Sequence, residues 1–161
     1  MGSLWDFSLA IYAMPGVAPA CLRCQDESGA DVNTLLFLLW QARRGSRLTD
    51  SGIRAADHVA SEWRREIVHP LRKARRSLKA MGEEALRAQV AAAELEAERI
   101  QQERLAAWAE ENPAQGAGTP PAAARANLEA YSAMLGNPLP AEAVETLLAA
   151  FAEGNREQPH G

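Results

Sequence analysis

Six of the seven cations in one short stretch of this chain, Trp63 to Lys79, WRREIVHPLRKARRSLK, fall to one side when it is read as a helix: Arg64, Arg65, Arg72, Arg75, Arg76 and Lys79. Arginine outnumbers lysine there, and a planar guanidinium suits bidentate contact with carboxylate or phosphate. Read as one helix at about 100° per residue, Trp63, Ile67, Leu71, Ala74 and Leu78 share an arc of roughly 80°. The six cations fall in a separate arc of about 120°. The expected chemistry is an anion-binding face, docking an acidic protein or other anionic partner. Nucleic acid is the less expected partner, because no aromatic stacking platform or binding motif accompanies the arginines. A competing expectation is that Glu94, Glu96, Glu98 and Glu103 fold back and neutralise the face internally.

A second constellation is Tyr12, Gln25, Asp31 and Asn33, polar residues near the ends of three short apolar segments. They are the residues expected to line a pocket if the protein handles a small ligand or substrate. Asn33 stands out, facing into the nearly all-apolar run Leu35 to Trp40. Cys21-Leu-Arg-Cys24 is a CxxC, but a redox site of that kind needs a βαβ setting and zinc needs two more ligands. His58 and His69 are eleven residues apart, which is not a usual ligand spacing. Buried, inert thiols are the expectation. Asp57, His58 and Glu62 read as solvated helix surface. A phosphate-cradling glycine loop, a nucleophile elbow and HExxH are all absent. No catalytic residue, metal or cofactor is therefore assigned, and the reading leans away from an enzyme.

The elements that carry these residues read as helices throughout. Alanine-rich, aromatic-poor composition favours helix, and no run alternates with period two. Ser3 caps an expected helix over 4–14, which Pro15-Gly16 stops; a second covers 17–27. Asp31 caps a third over 32–44, apolar almost all round and so the expected buried centre. A fourth starts at Thr49 or Asp50 and runs to about 68, where Pro70 kinks it or starts a new segment reaching about 81. After Gly82 a long helix covers 83–110, with Leu86, Val90, Ala93, Ala97 and Ile100 as its expected seam and Arg104 interrupting it. Residues 112–121 read as a Pro/Gly linker, two short helices follow within 122–154, and 155–161 is a tail. The expected fold is all-α: a compact helical bundle over 1–111, with a long hairpin at about 50–110 and a short C-terminal helix pair packed on or near it.

Charge is segregated. Residues 41–80 carry eleven Lys/Arg against four Asp/Glu, and residues 81–161 five against thirteen, within a net −4. That fits either an anionic partner or internal pairing. The most apolar stretch, 32–40, is too short to span a bilayer. With no signal-like start and only two cysteines, a cytoplasmic address is expected. A homo-oligomer through the 83–110 seam is a further expectation.

The residues also resemble a known family. Trp5-x-Phe7, Tyr12-Ala-x-Pro15-Gly16-Val17, Cys21-Leu22, Gln25-Asp26, Gly29-Ala-Asp31-Val32-Asn33, Leu35-Leu36 and Leu39-Trp40 look like an uncharacterised proteobacterial family known only as a domain of unknown function. Trp63-Arg64-x-x-Ile67-Val68-x-Pro70-Leu71-Arg72, Arg75-Arg76, Leu78-Lys79 and Glu94 to Glu98 are similar too. The resemblance covers roughly residues 3–150. It implies a small, mainly helical protein and carries no activity. Cys24 departs from it, standing where an aliphatic residue is expected. The leading functional expectation is a non-catalytic interaction or regulatory protein using the basic face. The alternatives are a pocket protein or enzyme and a self-associating scaffold.

Overall fold

The computed structural model describes residues 2–113 and 116–157. Among them lie eight α-helices: α1 (Leu4–Tyr12), α2 (Val17–Ser28), α3 (Val32–Arg43), α4 (Asp50–Trp63), α5 (His69–Met81), α6 (Glu84–Glu111), α7 (Pro120–Met134) and α8 (Ala141–Arg156). One π-helical turn, Arg64–Val68, joins α4 to α5. The fold is all-α. Its one departure is a two-residue antiparallel pairing, Ser46–Arg47 with Gly116–Ala117, where no strand was expected. That pairing ties residues 116–117 to the turn between α3 and α4. Residues 114–115, in the expected linker, and 158–161, in the expected tail, lie outside the described residues.

The helix ends follow their capping residues. The Asp6 N–H donates to Ser3 Oγ at 3.1 Å, the Thr34 N–H to Asp31 Oδ2 at 3.1 Å, and the Gly52 N–H to Thr49 Oγ1 at 3.1 Å. Each satisfies a backbone donor that a helix leaves without an intrahelical partner. Gly29 (φ 69°) and Gly82 (φ 77°) end α2 and α5 in the left-handed region, which glycine enters without a Cβ penalty. Pro120 and Pro121 are not linker: they are the first residues of α7, where a missing N–H costs nothing.

Helix α3 is the buried centre, with ten of its twelve residues inaccessible. Leu35, Phe37, Leu38 and Leu39 are fully covered, and burial of each contributes about 1.5–3 kcal/mol. α7 packs along α3, and α8 closes over α2. Asn127 fastens α7 from within the core: its Oδ1 accepts from the Leu48 N–H at 2.9 Å, and its Nδ2 donates to the Leu38 and Ser46 carbonyls, both at 3.1 Å.

α5 and α6 form the expected antiparallel hairpin, but in a different register. Leu86 and Ala93 are exposed; the buried row of α6 is Glu94, Ala97, Gln101, Gln102, Leu105 and Ala109. A glutamate and two glutamines occupy positions that an apolar seam would fill. Arg104 does not merely interrupt a seam: its guanidinium stacks 4.4 Å over the Trp63 ring, whose indole N–H donates to the Ala97 carbonyl at 2.8 Å.

Candidate functional site

Between Pro15 and Gly16 the chain turns by 102° from α1 into α2, and these two helices, with the start of α3, face the α5–α6 hairpin across a cleft. The cleft holds about 240 Å³. That exceeds the roughly 150 Å³ apolar cavity that accepts a benzene ring, and falls below the ~300–1,000 Å³ of pockets for larger ligands. The size class is a ring or a short chain.

The mouth is apolar. Leu9 and Tyr12 from α1, Leu22 from α2 and Leu95 from α6 line it, and each is roughly 40–55 % exposed. They are four of the seven large apolar side chains exposed among the described residues, so the apolar surface is gathered rather than scattered.

One wall is charged and internally paired. Arg72 Nε donates to Glu94 Oε1 at 3.1 Å, Nη2 to Glu98 Oε1 at 3.1 Å, and Nη1 to Gln25 Oε1 at 3.2 Å. Arg75 Nε donates to the other oxygen of Glu94. Burial works against the charge of Glu94, but the bonds from Arg75 and Arg72 outweigh it and hold the carboxyl below its ordinary range. Glu98 goes the other way: burial raises it, and the Arg72 charge only partly offsets this. Burial raises the Tyr12 phenol as well.

The floor is polar and incompletely satisfied. Gln102 Nε2 donates to Asn33 Oδ1 at 3.0 Å, fixing both amides. Gln102 Oε1 and Ser8 Oγ are buried without a hydrogen-bond partner among the described residues. An orphaned buried acceptor costs about 1–3 kcal/mol, and both residues line the cleft.

All four residues of the expected pocket, Tyr12, Gln25, Asp31 and Asn33, line this cleft. Asp31 also works structurally: its carboxylate accepts from Thr34 Oγ1 and Gln101 Nε2 and pairs with Arg64 at 3.2 Å, while its N–H donates to the Tyr131 hydroxyl. The open basic face does not form as expected. Arg64 is drawn between Asp31 and Asp57, and Arg72 and Arg75 turn to Glu94. Arg65 pairs with Glu66 on the surface. Arg76 and Lys79 are exposed and form no ion pair among the described residues. Asp57 is accordingly not solvated surface but an Arg64 partner.

Ser8, Leu9, Leu22, Leu95 and Gln102 were not anticipated. The only sequence signal was Gln101-Gln102 at buried-row spacing on α6. Cys21 and Cys24 are fully buried, and burial pushes their thiols up to about 12 and about 11, so both stay protonated near neutrality. No cluster of three metal-ligating side chains occurs among the described residues. None of their helices is by itself long and apolar enough to cross a membrane.

No curated protein and no solved structure matches the chain. A family model matches residues 3–105, ending short of the roughly 150 that the resemblance implies. Every cleft residue, from Trp5 to Gln102, falls inside that match, and α7 and α8 fall outside it. The chain belongs to the family described as a protein of unknown function, DUF2390.

Proposed function

We propose that this protein binds a small, largely apolar organic molecule in the cleft between α1, α2, the start of α3 and the α5–α6 hairpin. The observation that carries the reading is the coincidence, in one concavity, of an apolar mouth with two buried polar atoms lacking partners at its floor. Apolar walls with a few convergent polar groups are the usual make-up of a small-molecule site. Glu94 and Glu98 are both engaged by Arg72, which favours binding over acid–base chemistry. A docking role for the basic helix keeps Lys73, Arg76 and Lys79 as its cations without an ion pair among the described residues, while Arg64, Arg65, Arg72 and Arg75 are paired internally, and is the weaker reading.

The test is an amide-resolved NMR titration of the full chain with 1-hexanol and benzyl alcohol at millimolar concentration. Saturable shifts should concentrate at Trp5, Ser8, Leu9, Leu22, Leu95 and Gln102. Leu9→Glu and Leu95→Glu, at half-exposed positions that tolerate a polar side chain, should weaken binding at least about tenfold with the fold intact, about 1.4 kcal/mol. Absent shifts, or shifts scattered equally over the surface, would sink the reading.

A further inference from the structure

Beside the charged wall the surface is hollowed a second time. A second hollow of about 550 Å³ lies between the C-terminal end of α2 and the first half of α5. Gln25, Arg72 and Arg76 line both hollows, so the two are neighbours on either side of those side chains. Their linings differ in kind. The first presents leucines and aromatic rings; the second presents His69, Arg72, Lys73 and Arg76 against a single acid, Asp26. Arg72 is already held by Glu94, Glu98 and Gln25. Lys73 and Arg76 form no ion pair among the described residues, and Arg76 lines both hollows.

We infer that the cleft's ligand is a small organic anion, whose apolar part sits among Leu9, Leu22 and Leu95 and whose carboxylate or phosphate group reaches Arg76 and Lys73 in the second hollow. This rests on the proposed binding role and specifies its ligand class. The physical case is charge complementarity. Arg76 can offer a planar fork of donors without first giving up an internal carboxylate, and Lys73 adds a second positive charge beside it. A cationic head would meet these two charges with Glu94 and Glu98 already committed to Arg72 and Arg75. A neutral head would leave the cations to water. The fixed Arg72–Glu94–Arg75 group then acts as a spacer that keeps the apolar and anionic ends apart.

Calorimetric titration of the full chain with probes of matched length decides the matter: hexyl phosphate, heptanoate, 1-hexanol, hexylamine and inorganic phosphate. The expected result is that hexyl phosphate or heptanoate binds at least about tenfold tighter than 1-hexanol, and inorganic phosphate far more weakly than hexyl phosphate. The ratio between the two anions tells a phosphate ester from a carboxylate. Arg76→Glu with Lys73→Glu, both at exposed positions, should erase the anion preference, read as the ratio of heptanoate to 1-hexanol affinity within the same variant. If 1-hexanol binds as tightly as the anions, or hexylamine binds best, the inference is overturned while the cleft reading survives. If inorganic phosphate binds as well as hexyl phosphate, the hollows are not used together and the inference also fails. If nothing apolar binds, both readings fail.

Discussion

Glu94 and Glu98 stand one helical turn apart on the same wall, yet their surroundings move them in opposite directions. The consequence is a pair of opposed pH dependences. Glu98 is raised in the folded protein above the ordinary 4.5, so the fold takes up its proton first. Relative to Glu98→Gln, wild type should therefore gain stability as pH falls from neutral toward 4.5, and hold that gain below it. Glu94 is lowered, so its contribution is present above 4.5 and is lost as pH falls further through its folded value. Urea midpoints of wild type, Glu98→Gln and Glu94→Gln between pH 7 and pH 3 check both signs. Identical curves for the two variants would show that the arginine wall does not distinguish the carboxyls. At this scale the pocket was partly legible. Tyr12, Gln25, Asp31 and Asn33 stood out as polar groups among apolar neighbours, and they line the cleft. Arg72 and Arg75 were read as an outward face because hydrophobicity alone places Ala74 inward; in the fold Ala74 is exposed and Arg75 turns to a buried glutamate. An inward arginine becomes visible only once its carboxylate partner on another helix is known.

The element that sets this arrangement is the π turn at Arg64–Val68. Eight positions in an unbroken α-helix would set Arg64 and Arg72 about 80° apart. A π turn takes up roughly one extra residue, which removes about 100° and brings the two nearly into line. Both then face the body of the molecule, Arg64 toward Asp31 and Asp57, Arg72 toward Glu94 and Glu98. The His69 N–H bonds to the Arg64 carbonyl, closing the wide turn immediately before Pro70, which has no N–H to give. The sequence announced a break at Pro70 but not its form, since a kink, a new helix and a π turn all answer the same missing donor. Inserting one alanine after Arg65, an exposed residue, adds about 100° to a turn that already absorbs one extra residue, and should force one of the two arginine sites out of register. The expected cost is about 3 kcal/mol, the scale of breaking a largely buried ion pair. Arg65→Ala should change stability by about 0.5 kcal/mol or less. Equal urea midpoints for the insertion and Arg65→Ala would show that the turn does not align the two arginines.

Across the whole molecule, the matched family segment and the folding unit have different extents. The match ends at residue 105, within α6, and contains the complete cleft. The core does not end there. Leu128 and Tyr131 of α7 and Leu147 and Phe151 of α8 are buried as completely as the leucines of α3. α7 covers α3, and Tyr131 accepts the Asp31 N–H at the very cap that orients the pocket's polar residues. The Pro/Gly composition near residue 116 pointed to a linker and left open whether the helix pair packs on the core or only near it, because a linker's composition reports chain flexibility and says nothing of what the following helices cover. A chain cut after Glu111 should therefore keep its helical far-UV circular dichroism but lose near-UV signal and bind a hydrophobic dye, as α3 is stripped along the face that α7 covers. It should also lose the 1-hexanol response, although no cleft residue has been removed. Adding residues 116–157 as a separate peptide should recover both signals if packing, and not covalent continuity, is what α7 and α8 supply. A truncated chain with dispersed amide resonances and an intact alcohol titration would show that the helical core stands by itself and that the last two helices are an addition to it.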